Sequence, residues 1–348
     1  MIFVGGVPFQ NNSNNEGSCD LVALMEHPAL ISASLSLRAT PEKVFSASEA
    51  SSSDGLTKSK HVYLFQREYA TVDPMLVDLV GTDEATTCVG IVIRNRNNGM
   101  TSAAHMDSPK IVKIGLSQML SKLADQKLDA ELDVHLIGGF DDTPSLLAGK
   151  ARHKNNTKGG YSFPLCAKII EGLGKSALKF HIQTLFVLGH NTKNDGEGNA
   201  YPIFTGFLME TMTGAVTPAI FDKTTRCPDE LVRRIRVSAS FEDPCWRGKL
   251  LDTYDTETDQ FIIAPSSWSV RKVQMATYLQ QLPDSEILHT CSTSPYAEAP
   301  DFVYNQRRQW DYLIKHSNWK EVFRMGQPRV FKRDTNGQWV MIEQDLLT

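Results

Sequence analysis

No apolar run in this sequence of 348 residues approaches the ~20 residues that a membrane-spanning helix needs. The apolar start at residues 1–9 lacks the basic flank and the length of a secretory signal peptide. We therefore expect a cytoplasmic protein without a membrane partner and consider the nucleus as a second location.

Cysteine is scarce and scattered. The six cysteines show neither CxxC spacing nor histidine pairs at metal-ligand spacing, so the sequence predicts no zinc site and no disulfide framework. We expect most of them to be buried, reduced and chemically inert. They are Cys19, Cys88, Cys166, Cys227, Cys245 and Cys291.

An excess of one charge sign is also lacking. Thirty-six basic and forty acidic side chains give a net charge of −4 and a pI near 6.2, which does not favour a nucleic-acid partner. The local basic run at 231–236, LVRRIR, is interpreted as a solvated helix face. No repeat of 20–50 residues is visible, which argues against a solenoid.

The apolar fraction of 41% is enough for a substantial core. Strand and helix patterns are mixed, and short hairpins connect several of the strands. This combination favours an α+β fold, with a mixed, largely antiparallel β-sheet sandwich flanked by helices. The predicted strands include 61–65, 132–137, 179–188, 329–333 and 339–342, and the predicted helices include 111–128, 163–173, 229–237, 273–282 and 302–316.

Polar, low-complexity stretches at 11–15 and 46–55 predict loops, as does the basic stretch at 150–160. We expect residues 1–60 to form an N-terminal region that packs on a main domain at 61–348. The segment 291–300 is interpreted as an ordered polar loop, a common place for functional residues.

The stretch 82–109 holds the candidate site. Cys88 opens a β-branched apolar run, Asn98-Gly99 favours a turn, and a returning strand at 100–106 carries His105. Pairing of Cys88 with His105 requires a four-residue loop at 95–98, and this is the register we expect. A two-residue turn at Asn98-Gly99 would instead separate the two side chains by roughly 13 Å at about 3.3 Å per residue.

A cysteine thiolate is a nucleophile, and a neighbouring imidazole can lower the pKa of the thiol and protonate a leaving group. On spacing alone, a buried structural cysteine is the more common interpretation. The cluster of hydroxyls and turn formers at 81–87, GTDEATT, favours the functional one, because such a bend can direct backbone N–H groups at an oxyanion.

The motif TDEATTC at 82–88 resembles that of the protein N-terminal asparagine amidohydrolases, whose animal members carry an acidic-Ala-Thr-Thr-Cys motif with a histidine at the same separation. The likeness covers roughly residues 62–340. It continues in FQRE at 65–68, VHLIGGF at 134–140, YDTETDQ at 254–260, the stretch 265–268 and STSPYAE at 292–298. The polar N-terminal stretches and the basic loop at 150–160 depart from the family and are interpreted as insertions.

Chemoreceptor glutamine deamidases and cytotoxic necrotizing factor deamidase domains are similar at a greater distance. They too place a cysteine at the start of one strand and a histidine on the next. In the chemoreceptor enzymes a threonine precedes the cysteine by six residues, which is the position of Thr82 here.

The resemblance implies hydrolysis of the side-chain carboxamide of an N-terminal asparagine to aspartate and ammonia, through a cysteine thioester and without a metal or other cofactor. It implies catalysis by Cys88, His105 and Thr82, with the backbone N–H groups of Thr87 and Cys88 as the oxyanion hole. A carboxylate should bind the substrate's α-ammonium group. The candidates are Asp83, Glu84, Asp107 and Glu298, of which we favour Asp83 and Glu298.

The implied partners are proteins or peptides that begin with asparagine, and the product would enter the N-degron pathway of protein degradation. We expect a monomer. Two alternatives stay open. One is a glutamine-directed protein deamidase or a cysteine peptidase, and the other is a binding module that recognises N-terminal residues without turnover.

Overall fold

The computed structural model describes residues 1–10, 17–46, 59–123, 130–143 and 160–342. The strands are β1 Ile2–Val4, β2 Val7–Pro8, β3 Lys43–Phe45, β4 His61–Leu64, β5 Glu68–Val72, β6 Leu79–Thr82, β7 Val89–Asn95, β8 Thr101–Met106, β9 Glu131–Phe140, β10 Lys179–Leu188, β11 Thr192–Asn194, β12 Ala200–Pro202, β13 Phe207–Glu210, β14 Val216–Phe221, β15 Leu251–Asp252, β16 Tyr254–Asp255, β17 Gln260–Ile263, β18 Arg329–Arg333 and β19 Trp339–Met341. The helices are α1 Gly17–Met25, α2 Pro28–Ala39, α3 Pro109–Leu120, α4 Ser162–Gly174, α5 Glu230–Ser240, α6 Val270–Leu279, α7 Asp284–Cys291, α8 Phe302–Lys315 and α9 Trp319–Val322.

Within the described residues, the largest sheet has eight strands in the order β15-β5-β8-β7-β9-β10-β1-β2. Its central strands carry long apolar runs because both of their faces are buried. One face packs against α1, α3 and α4. The other shares a core with the second sheet, of order β3-β14-β13-β6-β4. Most strand pairs are antiparallel, so the predicted α+β sandwich is confirmed.

The C-terminal part adds a four-stranded sheet, β16-β17-β18-β19, and the helices α6 to α9. Their apolar side chains join the core that lies between the two larger sheets. None of the described helices has the length and hydropathy of a transmembrane segment.

The predicted hairpin exists, but its register differs from the expected one. Gly90 pairs with His105 and Val89 with Met106, so the loop spans 96–99 rather than 95–98. The turn explains the shift, because the amide of Asn95 donates to Met100 O at 2.8 Å while its side chain accepts from the amide of Asn97. Asn95 is thereby the last residue of the strand rather than the first of the loop.

Two further expectations are wrong. The basic run at 231–236 lies in α5 but is no solvated face, because Arg233 and Arg236 are fully buried. Arg233 pairs with Glu68, and Arg236 donates to Asp252 O at 2.9 Å. The expectation that most cysteines are buried is also wrong. Cys166 is buried, and the other five cysteines are half-buried or exposed.

Apart from Ser46 and Gly160, the polar stretches at 11–15 and 46–55 and the basic stretch at 150–160 lie outside the described residues. So do residues 124–128 of the helix predicted for 111–128. The division at residue 60 stays a prediction. β1 pairs with β10 of the large sheet, and β3 pairs with β14 of the second sheet.

Candidate active site

Cys88 lies at the end of a bend that connects β6 of the second sheet to β7 of the large sheet. Backbone hydrogen bonds hold this bend: Ala85 N donates to Thr205 O at 2.8 Å, and Phe140 N donates to Thr86 O at 3.2 Å. Gly138 has a φ of +115°, and a Cβ there would lie 2.8 Å from Cys88 O. A glycine at this position lets β9 approach the back of the bend and leaves Cys88 half-buried at its front.

His105 is a diagonal neighbour of Cys88. It pairs with Gly90, two residues beyond Cys88, and side chains two apart on a strand share one face of the sheet. Gly90 has no side chain to separate the imidazole from the thiol. Both side chains line the same cavity.

The hydrogen bonds of Thr82 determine the tautomer of His105. The hydroxyl of Thr82, the last residue of β6, donates its one proton to Leu64 O at 2.7 Å and lies 2.7 Å from His105 Nδ1. Nδ1 must therefore carry the proton and donate it to Thr82. Nε2 keeps its lone pair, is buried, and has no hydrogen-bond partner among the described residues.

The resting pair is neutral. Burial, together with the negative charges of Asp107 and Glu298, raises the pKa of the Cys88 thiol well above its usual value. Burial lowers the pKa of His105 to about 4, against the opposing influence of Glu84. The thiol is therefore protonated near neutral pH and the imidazole is a base.

The cavity has a volume of about 680 Å³, within the range of small-molecule and peptide sites. Thr86 and Thr87 also line it, as do Phe65, Gln66 and Thr205. Two distant segments, 220–241 and 291–309, contribute most of the other lining residues.

Two of the four candidate carboxylates are neutralised by arginines. Asp83 is buried and accepts from Tyr63 Oη at 2.6 Å, Phe221 N at 2.7 Å and Arg226 Nη2 at 2.9 Å, so both of its oxygens are engaged. Glu84 bonds to Arg226 and Arg234. Despite burial, these two guanidinium groups hold the pKa of Glu84 below its usual range.

Among the residues that the structure describes, Glu298 is the candidate carboxylate that lines the cavity and has no ion pair. One of its oxygens accepts from Ser292 Oγ, and burial raises its pKa to about 7 against the effect of that hydrogen bond. The same segment is attached to the Cys88 bend by two hydroxyl pairs, Thr87 with Thr293 and Thr86 with Ser294, each at 3.0 Å. Asp107 is not among the residues that line the cavity, and Gln66 Nε2 donates to it at 3.3 Å.

A family model described as protein N-terminal asparagine amidohydrolase matches residues 51–341. A protein N-terminal asparagine amidohydrolase of Arabidopsis thaliana is 55% identical over 97% of this chain and 99% of its own length. Proteins of the same name from Mus musculus and Homo sapiens are 30% and 29% identical, each over 81% of this chain and 84% of its own length. The chain belongs to this family.

Two further motifs of the resemblance meet the Cys88 bend at the cavity of this amidohydrolase. FQRE at 65–68 contributes Phe65 and Gln66 to the lining, and STSPYAE at 292–298 contributes Ser292, Thr293 and Glu298. Glu68 lies behind the cavity in a fully buried ion pair with Arg233. These segments are far apart in sequence, and the sandwich brings them together.

Sequence reasoning missed several polar residues of the amidohydrolase's cavity. Arg226 and Arg234 were not singled out, and the interpretation of 231–236 as a solvated face hid Arg234. Asn305 and Gln309 lie within the helix predicted for 302–316, and that prediction assigns no role to either side chain. Their spacing of four residues, which continues back to Asp301, is a signal that could have found them.

Proposed function

We propose that this enzyme hydrolyses the side-chain carboxamide of an N-terminal asparagine in proteins and peptides, giving aspartate and ammonia through a thioester on Cys88. The observation that carries the proposal is the unpartnered Nε2 lone pair of His105, which lines the same cavity as the Cys88 thiol. A neutral thiol beside a buried base of defined tautomer suits acyl transfer.

In the first half-reaction His105 Nε2 takes the thiol proton as Cys88 Sγ attacks the carboxamide carbon. The carbonyl oxygen becomes an oxyanion, for which the backbone N–H groups of Thr87 and Cys88 are the proposed donors; neither has an acceptor within the described residues. The C–N bond then breaks, and His105 returns the proton to the departing nitrogen, which leaves as ammonia.

In the second half-reaction water attacks the thioester carbon. His105 Nε2 accepts a proton from the water, the C–S bond breaks, and the proton returns to Cys88 Sγ. The role proposed for Thr82 is to hold the Nδ1–H tautomer in both halves, so that Nε2 faces the reacting atoms.

We assign recognition of the substrate's α-ammonium group to Glu298. Asp83 was the other favoured candidate, but its two oxygens already accept from three donors, which leaves it a structural part of the site. Glu298 and Cys88 line the same cavity, so an ammonium group bound to Glu298 would place an asparagine side chain in the cavity that holds the thiol.

The product carries an N-terminal aspartate, and we propose that it enters the N-degron pathway in the cytoplasm, and in the nucleus as a second location. A monomer suffices for this chemistry, because all of the proposed groups come from one chain.

The deciding experiment is mass spectrometry of an Asn-initiated peptide after incubation with the wild-type protein, Cys88→Ala and His105→Ala. We expect the wild type to convert Asn to Asp, with a mass increase of about one dalton. Cys88→Ala should abolish turnover, and His105→Ala should reduce it by at least about 10²-fold, since general acid–base catalysis typically contributes 10²–10⁴-fold. Near-native circular dichroism of both variants is the control for folding.

Three further substrates separate the alternatives. Conversion of a Gln-initiated peptide at an equal rate would favour a glutamine-directed deamidase, and cleavage of the peptide bond would favour a peptidase. An N-acetylated Asn peptide should be inert, because it lacks the ammonium group. Binding of the Asn peptide without any conversion by the wild type would favour a binding module.

A further inference from the structure

Helix α8 presents an unusual buried face. Asp301, which precedes the helix, Asn305 and Gln309 are spaced by four residues and so lie on one side of it. Asn305 is 3% exposed and Gln309 is 8% exposed, although asparagine and glutamine are mostly found at protein surfaces. All three line the catalytic cavity.

The carboxamide of Asn305 has a defined orientation and a vacant acceptor. Its Nδ2 donates to Asp301 Oδ2 at 3.1 Å. Since a carboxylate can only accept, the atom facing Asp301 must be the nitrogen, and the other atom must be Oδ1. Oδ1 is buried and has no hydrogen-bond partner in the described part of the chain. A buried acceptor without a hydrogen bond is energetically unfavourable. Asn305 Oδ1 is therefore suited to accept a hydrogen bond from an N–H or O–H group of a bound molecule.

The polar face of α8 connects two cavities. Gln306, Gln309 and Ser238 line both the catalytic cavity and a second one of about 570 Å³. From Asp301 to Gln309 the helix rises about 12 Å, at 1.5 Å per residue. An extended peptide covers that distance with three to four residues at about 3.3 Å each.

Glu298 marks the beginning of this path. It lies three residues before Asp301 and lines the cavity together with Cys88, whereas Gln309 lies at the far end, beside the second cavity. A peptide whose first residue is at Cys88 can therefore continue along α8.

We propose that the polar face of α8 is a binding site for the peptide main chain of residues that follow the first one, in which Asn305 Oδ1 accepts a hydrogen bond from a substrate backbone N–H. The inference rests on the function proposed above and adds how the rest of the substrate is held. Protein substrates with different sequences share the main chain, so acceptors of this kind select for a peptide without reading its side chains.

The test measures binding rather than turnover, in the Cys88→Ala protein, with Asn-initiated hexapeptides. Each peptide of the series carries one N-methyl group, on the backbone nitrogen of residue 2, 3, 4 or 5. Isothermal titration calorimetry gives the dissociation constants. We expect at least one methylated peptide to bind about tenfold more weakly than the unmethylated peptide, which is typical for loss of one buried hydrogen bond.

A second variant assigns that loss to Asn305. In Cys88→Ala/Asn305→Leu the same N-methyl group should weaken binding less than twofold, because the acceptor is already absent. Cys88→Ala/Asn305→Ala is the alternative if leucine disturbs the helix. Cys88→Ala/Gln281→Leu is the matched control: Gln281 is an exposed carboxamide outside both cavities, and its removal should keep the tenfold effect.

Two results would overturn the proposal. In one, all methylated peptides bind to the Cys88→Ala protein within twofold of the parent peptide. In the other, the loss is the same with and without Asn305. The proposed function is tested in a separate experiment. If the wild type releases no ammonia, the proposed function fails, but the binding result is not affected.

Discussion

At the scale of single residues, the hydrogen bonds of one threonine determine the tautomer of His105. Thr82 can donate only one proton and gives it to Leu64 O, so it must accept from His105 Nδ1. The imidazole is then a base at Nε2, the atom that lacks a partner within the described residues. The same reasoning orients the carboxamide of Asn305. The carboxylate of Asp301 accepts a hydrogen bond from Nδ2, so the other atom of the carboxamide must be the oxygen.

The proposed role of Glu298 predicts a narrow pH optimum. Glu298 must be ionised to attract the substrate, and burial raises its pKa to about 7, so kcat/KM should rise as the pH increases through about 7. It should fall again above about 8, where the α-amino group of the peptide, of pKa about 7.7–8.0, loses its proton. His105, with a pKa of about 4, does not titrate in this window.

Glu298→Gln is the variant that checks this assignment. It keeps the shape of the side chain but has no charge at any pH, so we expect a higher KM and no acid limb near pH 7 in the profile of kcat/KM. Persistence of that limb in Glu298→Gln would assign it to another group. Asp301→Asn, at a neighbouring carboxylate of the cavity, should retain the limb.

At the scale of secondary structure elements, the hairpin of β7 and β8 brings together Cys88 and His105, the proposed nucleophile and base. Its register places His105 opposite Gly90, so that Cys88 and His105 are diagonal neighbours on one face. Gly90 also lies against the second sheet, since a Cβ there would lie 2.4 Å from Phe207 Cε1 on β13. Glycine, which has no Cβ, leaves room at this position of β7 for the ring of Phe207.

Gly90→Ala should therefore destabilise the protein by about 1–3 kcal/mol, as overpacking of a buried site does. Urea unfolding followed by circular dichroism measures the loss. Gly189→Ala is the control, because no atom lies within 4 Å of a Cβ at Gly189 and its φ is not positive. Equal stability of Gly90→Ala and the wild type would show that Phe207 moves away without cost.

At the scale of the whole molecule, buried ion pairs hold the sheets, α5 and the C-terminal region around the cavity. Arg233 on α5 donates to Glu68 on β5 at 2.5 and 3.1 Å and to Tyr63 O on β4 at 2.6 Å. Arg226 and Arg234 attach α5 and the preceding loop to the acidic pair at 83–84. The acidic motif before Cys88 is thus neutralised from a segment 140 to 150 residues away.

Breaking the pair between Glu68 and Arg233 should be costly. Both side chains are fully buried, so Glu68→Gln leaves a guanidinium without its counter-charge and should lower the free energy of unfolding by about 3–5 kcal/mol. Urea unfolding is the measurement. Asp311→Asn is the matched control, since its partner Lys315 is exposed and such surface pairs contribute little. A loss below 1 kcal/mol for Glu68→Gln would mean that water reaches Arg233.

The sequence alone was sufficient for the local features. The apolar run after Cys88, the Asn98-Gly99 turn and the amphipathic pattern of α8 depend on neighbours within a few residues, and all three elements are confirmed. The motif at 82–88 also indicated the family, because its seven residues are contiguous in the sequence.

Only the tertiary structure decided the rest. The loop moved by one residue, and the partner of His105 by two, because Asn95 hydrogen-bonds within its own turn, a choice that apolar periodicity does not encode. The charges of α5 are buried because their partners lie in other segments. The pattern of the helix alone does not include these partners, and it therefore suggested exposure to solvent. Asn305 Oδ1 is buried without a partner among the described residues because of how α8 packs, and burial of that kind is a property of the assembled fold.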